Sequence, residues 1–167
     1  MVTVKKMLPW LAFVTTTLLM GCGADTVHLS DGQKAPEFRL SYLDQGDAHF
    51  PDDYAGKIVI VRFWADWCPF CETEMTAIEP LYRQYRQQGV VVLALNVRQD
   101  RETAAAFIDR LGISYDVLLD QEGETARAYG VIGLPTTFFI TREGHIHTKI
   151  IGESTPRVFE TVLTEML

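Results

Sequence analysis

From residue 36 onward, short apolar runs alternate with longer stretches in which apolar residues recur at helical spacing. FRLSYL (38–43) alternates as a half-buried strand does, and FPDDYAG (50–56) reads as a turn or short helix. IVIVRFWA (58–65) and VVVLALNV (90–97) are nearly continuous apolar runs, which predicts strands covered on both faces. Between them a helix is predicted from Pro69 to about Gln88, with Gly89 just past its end and Pro80 expected to kink or interrupt it. Asp100 is placed to cap a helix over 101–111 that Gly112 ends. DVLLD (116–120) is a short strand and GETARAYG (123–130) a short helix. TTFFIT (136–141) and HIHTKII (145–151) predict a hairpin turned at Arg142-Glu143-Gly144. Thr155 can cap a last helix, with Pro156 at its first position. Strands alternating with helices and ending in a hairpin indicate an α/β domain around a mixed sheet.

The opening residues follow a different pattern. Lys5 and Lys6 precede an apolar stretch over residues 7–20, which is shorter than the roughly 20 residues a spanning helix needs. Small residues follow at Gly21, Cys22 and Gly23. This predicts a signal peptide over 1–21 rather than a membrane span or a buried helix. Leu19-Met20-Gly21-Cys22 resembles the lipobox of bacterial lipoproteins, which implies lipid attachment at Cys22. That assignment also accounts for the odd number of cysteines, three, in an exported chain. Residues 22–35 then read as a polar tether and 36–167 as the domain.

Removal of 1–21 leaves 146 of the 167 residues, enough for one domain with its own core and no disulfide scaffold. The formal charge moves from −7 to −9, because only Lys5 and Lys6 are lost. An acidic chain with no basic cluster excludes nucleic acid as a partner. It also leaves attachment to a membrane to lipid chains rather than to charge.

Cys68 and Cys71 are the remaining pair, in RFWADWCPFCETE (62–74). A zinc site needs four ligands, and no second cysteine pair exists. His145 and His147 share a strand face but lack a third ligand, so no metal site is expected. A purely structural disulfide across two residues would close a tiny loop and restrict the unfolded chain little. A redox dithiol fits the place better, since Cys68 falls where a buried strand gives way to a helix whose N–H groups favour a thiolate. The reading makes Cys68 the exposed nucleophile and Cys71 the resolving thiol. The redox-active disulfide then serves without any added cofactor.

KAPEF (34–38), GKIVIVRFWADWCPFC (56–71) and GLPTTFFI (133–140) together resemble the thioredoxin superfamily, and within it the membrane-tethered TlpA/ResA-type thiol–disulfide oxidoreductases of bacteria. The resemblance covers about residues 35–167. It implies a thioredoxin-like α/β fold, a central mixed sheet flanked by helices, with the stretch around 98–120 as the helix and strand these proteins insert. It further implies a cis-proline at Pro135 facing the dithiol, Leu134 offering its backbone to a substrate peptide, and Trp67 as an exposed contact surface. Trp64 belongs to the core.

Two positions depart from or refine that pattern. Where many thioredoxins carry a buried Asp, this chain has Arg62, which cannot act as a base. Its cation is expected either to snorkel away or to bias Cys71 toward thiolate. Glu74 lies one turn beyond Cys71 on the same helix face. It matches an acidic residue that tunes the thiols of ResA-like proteins, and is expected to take a proton during exchange. The resemblance also implies a monomeric reductant outside the cytoplasm, in the bacterial cell envelope. It would act on disulfides of exported proteins, as in cytochrome c maturation, and be re-reduced by a membrane thiol transporter. Two other functions fit the parent fold: a peroxiredoxin-like peroxidase and a copper-binding chaperone using the thiolates with a histidine. The residues before Cys68 (Ala65, Asp66, Trp67) lack the Thr that the former needs.

Overall fold

The computed structural model describes residues 27–167, so the predicted signal peptide and Cys22 lie outside the described residues. A hairpin of β1 (Phe38–Tyr42) and β2 (Asp47–Phe50) comes first, followed by β3 (Ile58–Trp64), α1 (Cys71–Tyr85), β4 (Val90–Val97) and α2 (Arg101–Ile108). The chain continues through β5 (Asp116–Asp120), α3 (Glu124–Ala128), β6 (Thr136–Ile140), β7 (Ile146–Ile151) and α4 (Pro156–Glu165). All seven strands form one sheet in the order β2-β1-β5-β4-β3-β6-β7. β3 and β5 run parallel to β4 on either side of it, and the other pairings are antiparallel.

The two apolar runs are buried on both faces, as their composition requires. Ile58, Ile60 and Trp64 face one way, into a cluster with Ile78 and Leu81 of α1, Phe107 of α2 and Phe159 of α4. Val59, Val61 and Phe63 face the other way, toward Phe38, Phe50, Ala126 and Tyr129. α2 and β5 fill the stretch expected as an insertion, and β5 joins the central strands to the N-terminal hairpin.

Four expectations need correction. β2 was not foreseen, because DAHF is short and acquires its strand geometry by pairing with β1. α1 begins at Cys71 rather than Pro69, and Phe70 takes the N-cap position. Pro80 does not interrupt α1, which runs on to Tyr85 with Ile78, Leu81 and Tyr85 packed into the core on either side of the proline. The tether is bound to the domain along its second half. Gly32 N donates to Ile146 O (2.7 Å), Ile146 N to Gln33 O (2.8 Å) and Ala35 N to Gly144 O (2.9 Å). Strand β7 thus offers its free edge to residues 32–35, which satisfies backbone groups an edge strand would otherwise expose.

Glu79 fastens α1 to the loop before β5. Its carboxylate accepts from the Ser114 hydroxyl (2.6 Å) and the Ser114 N–H (2.8 Å), and pairs with Arg83. Burial pushes its pKa up, but the Ser114 hydrogen bonds and Arg83 outweigh this and hold it below the ordinary value. A lowered carboxylate pKa adds stability above the unfolded-state value, and that stability is lost as pH falls through the folded one. Glu79→Gln is therefore expected to be less stable than wild type at neutral pH, with the gap closing as pH drops below about 4. Urea midpoints measured from pH 3 to 7 check this, and a gap that stays constant with pH would refute it.

Candidate active site

Strand β3 ends at Trp64, and the next six residues form the turn that carries Trp67 and Cys68 into α1. Cys68 N donates to Ala65 O and Cys71 N to Cys68 O, both at 3.2 Å, so each cysteine closes a tight turn. The two sulfurs are joined as a disulfide, with the Cα atoms 5.4 Å apart. Cys68 is only 2% exposed and Cys71 0%. The expected exposure of Cys68 is not found in this disulfide form, because both cysteines pack in the cluster that holds Trp64 and Met75. What distinguishes them is backbone: Cys71 is the first residue of α1, whereas Cys68 stands outside the helix. Its neighbours Trp67 and Phe70 are both exposed. Trp64, by contrast, is fully buried and stacks on Phe107 with ring centroids 4.9 Å apart.

The turn is pinned from the side by Gln99, which sequence reasoning did not single out. Its Oε1 accepts from Asp66 N and from Asn96 Nδ2, each at 2.9 Å, and its Nε2 donates to Asp66 Oδ1. Asn96 is fully buried near the end of β4, level with Trp64 in the pairing register. An amide inside an otherwise apolar strand was the available signal, since a buried polar group must find partners.

A buried ion pair joins β3 to the first turn of α1, where Glu74 stands one turn from Cys71. Arg62 is 1% exposed and Glu74 6%, and Arg62 Nη2 donates to Glu74 Oε2. Arg62 Nη1 donates to Thr137 Oγ1 of β6 (2.9 Å), and the other Glu74 oxygen accepts from Ser154 N, just before α4. Arg62 therefore does not snorkel away. A buried guanidinium requires a carboxylate, and Glu74 supplies it from the adjoining helix. The partnership changes the expected role of Glu74. Its charge is neutralised at close range, so it cannot repel a neighbouring thiolate as an isolated carboxylate would. Any proton it accepts must use a lone pair left over from Arg62 and Ser154.

The Leu134–Pro135 bond is cis. The β3–β6 register sets Phe63 opposite Thr136, which puts Pro135 level with the end of β3 where the cysteine turn begins. Trp67 and Leu134 line one shallow groove of about 300 Å³. Of the residues predicted from sequence, Cys68, Cys71, Trp67, Leu134 and Pro135 thus gather at one end of the sheet. Glu74 stands one turn along α1, turned toward Arg62. A second cis bond, Phe50–Pro51, was not foreseen. His147 Nε2 lies 3.8 Å from Glu165, and among the described residues no three His, Cys, Asp or Glu side chains gather as a metal site.

Residues 32–149 match the model of the AhpC/TSA family. A thiol-disulfide oxidoreductase ResA from Geobacillus thermodenitrificans is 40% identical over 124 residues, covering 74% of this chain and 71% of the relative. The ResA of Geobacillus kaustophilus is 35% identical over 150 residues, covering 90% and 86%. This chain belongs to the AhpC/TSA family, among its ResA-type thiol–disulfide oxidoreductases. Among solved structures, one carrying the DsbE name of a thiol:disulfide interchange protein, from Chlorobium tepidum, superimposes with a TM-score of 0.79. It is 29% identical, covering 83% of this chain and 99% of that one. StoA from Bacillus subtilis, 24% identical and covering 77% of this chain and 97% of that one, shares the thioredoxin-like fold with a TM-score of 0.67. In a ResA-type enzyme the chemistry is thiol–disulfide exchange, and the Cys68–Cys71 disulfide is the group in this chain able to perform it.

Proposed function

We propose that this chain is a lipid-anchored reductant of protein disulfides outside the cytoplasm, working through Cys68 and Cys71. The observation that carries the reading is the disulfide at the start of α1, at the same end of the sheet as cis-Pro135. In the reduced chain the Cys68 thiolate attacks one sulfur of a substrate disulfide, and the other substrate sulfur leaves as a thiolate. Cys71 then attacks the Cys68 sulfur and releases the second substrate thiolate. Two electrons pass to the substrate, whose two thiols take one proton from Cys71 and one from solvent, and the Cys68–Cys71 disulfide is restored.

Reduction is favoured over oxidation because Pro69-Phe70, between the cysteines, offers no charge or side-chain donor to stabilise a thiolate strongly. A membrane thiol transporter would return the electrons, and apocytochrome c awaiting haem is a fitting substrate. Lipid on Cys22 would hold the domain in the cell envelope. Among the described residues no helix is long and apolar enough to cross a membrane. The ResA-named relatives favour this reading over a peroxidase or a copper chaperone.

Two readouts on the full chain test it. Equilibration with dithiothreitol should give a reduction potential far below the about −120 mV of the strongest disulfide donors. The wild-type chain should fractionate with membranes, and Cys22→Ala should not be lipidated. A potential near −120 mV would reverse the direction of electron flow, and a soluble wild-type chain with a free Cys22 thiol would remove the anchor.

A further inference from the structure

Trp67 and Ile132 are the two most exposed large apolar side chains among the described residues, at 68% and 82%. They stand in the same groove, whose apolar side is completed by Val131 and Leu134 and whose rim carries Arg98 and Arg127. The groove starts one residue from Cys68, at Trp67, and reaches one residue from cis-Pro135, at Leu134. A polypeptide joined to Cys68 is within reach of it.

The two cations stand in a chain whose formal charge is −7. Neither Arg98 nor Arg127 has a carboxylate partner among the described residues. Arg127 Nη1 donates to a backbone carbonyl, Glu122 O (2.8 Å), and its charge is left uncompensated. Glu122 and Glu124 line a separate hollow, against β1. Arg98 is held in place by its backbone. It is the one non-glycine residue with positive φ (57°) among the described residues, and its N–H donates to Asp120 O (3.0 Å). Such a conformation in a bulky residue is disfavoured and persists where the surroundings impose it, commonly at functional sites. Its stem runs over Gly123, where a Cβ would come within 2.7 Å of Arg98 Nε. The bare Cα of Gly123 leaves the room Arg98 occupies.

We propose that this groove is a substrate subsite for acidic polypeptide segments. An apolar side chain near the reacting cysteine packs on Trp67 and Ile132, and a nearby carboxylate meets Arg98 and Arg127. The proposal rests on the disulfide-exchange reading above and adds to it a substrate class. It runs against the field of the whole molecule, which repels anions, so a preference for acidic substrates needs a local cause.

The test uses the reduced full chain and two short cysteine peptides with a leucine beside the cysteine. They differ in a single glutamate or glutamine two residues away, and each is presented as its mixed disulfide with neutral 2-thiopyridine. Attack by Cys68 on the peptide sulfur expels thiopyridone, whose absorbance gives a second-order rate constant. The quantity read is the ratio of the glutamate to the glutamine rate within each protein, which cancels any general loss of activity. Wild type should favour glutamate by roughly three- to fivefold, the size expected of exposed ion pairs. The ratio should shrink with added salt. In Arg98→Gln/Arg127→Gln it should fall to about one or below. A wild-type ratio of one or less, or an unchanged ratio in the double variant, overturns the subsite. A ratio that disappears as the protein is concentrated also overturns it, and gives the groove to a second copy of the chain. If the glutamine peptide is not cleaved at all, the exchange reading itself fails and the subsite falls with it.

Discussion

Serine in place of Cys68 is expected to stop disulfide exchange, whereas serine in place of Cys71 should leave the chain covalently joined to its substrates. The distinction cannot come from exposure, since both cysteines are buried in the disulfide form. It comes from the backbone. Cys71 is fixed as the first residue of α1, while Cys68 sits in a turn between the exposed side chains of Trp67 and Phe70. Cys68 also directly follows Trp67, which lines the groove where a substrate can lie. A serine hydroxyl is far too weakly acidic to replace the thiolate, so Cys68→Ser should exchange no faster than background small thiols. Without Cys71 nothing inside the protein resolves the mixed disulfide, and adducts should persist on non-reducing gels with insulin or a cysteine peptide. Brief labelling of the reduced wild type with iodoacetamide should mark Cys68 first. Adducts formed through Cys71 in the Cys68→Ser chain would reverse the two roles.

The second large effect belongs to Arg62 and Glu74. Breaking a buried ion pair from one side leaves an uncompensated charge in the core, which typically costs about 3–5 kcal/mol. Arg62→Met and Glu74→Gln should each lose on that order in urea unfolding. Arg62→Met/Glu74→Leu should recover much of the loss, because two apolar side chains leave no charge behind. Single variants that lose under about 1 kcal/mol would show that the pair is not held as described. The thiols give an independent readout. Glu74→Gln leaves the Arg62 cation unpaired beside a side chain one helical turn from Cys71, so thiol titration should move to lower pH. Arg62→Met leaves a lone carboxylate and should move it to higher pH. Shifts in the same direction would mean that the pair has no electrostatic hold on the dithiol. If Glu74 also takes a proton during resolution, Glu74→Gln should slow release of Cys68-linked substrate by about 10²-fold. An unchanged single-turnover rate leaves that transfer to water.

The central strands were legible because burial on both faces leaves an unbroken apolar run, as in Ile58–Trp64 and Val90–Val97. The caps were legible because they are local. Asp100 accepts from Thr103 N at 2.7 Å and Thr155 from Val158 N at 3.3 Å, each three residues on. β2 was not legible, since its pairing with β1 is what makes DAHF a strand. The cysteine pair and the proline could be read from their motifs, but the groups that hold them could not. Gln99 reaches Asp66 across 33 positions of sequence, and Ser154 reaches Glu74 across 80. Periodicity carries no record of such contacts. Arg62 itself was visible as a cation in an apolar run, and a partner could be anticipated; that the partner would be Glu74 required the helix to be placed over the strand.

Residues 29–35 lie along the domain, with Lys149 Nζ donating to Leu29 O (2.7 Å) in addition to the backbone bonds to the β7 hairpin. Val27 rests against Gly130, where its carbonyl fills the place a Cβ would take. Four residues of chain separate Val27 from Cys22, five steps with a fully stretched reach of at most about 18 Å. The proposed lipid on Cys22 would put the enzyme on a short leash. Gly130 immediately precedes Val131 and Ile132, so a leash from the proposed lipid would be attached beside the groove and would keep that edge of the molecule close to the bilayer. The clearance beneath it would then suit an extended chain or a partner held at the same membrane better than a bulky folded domain.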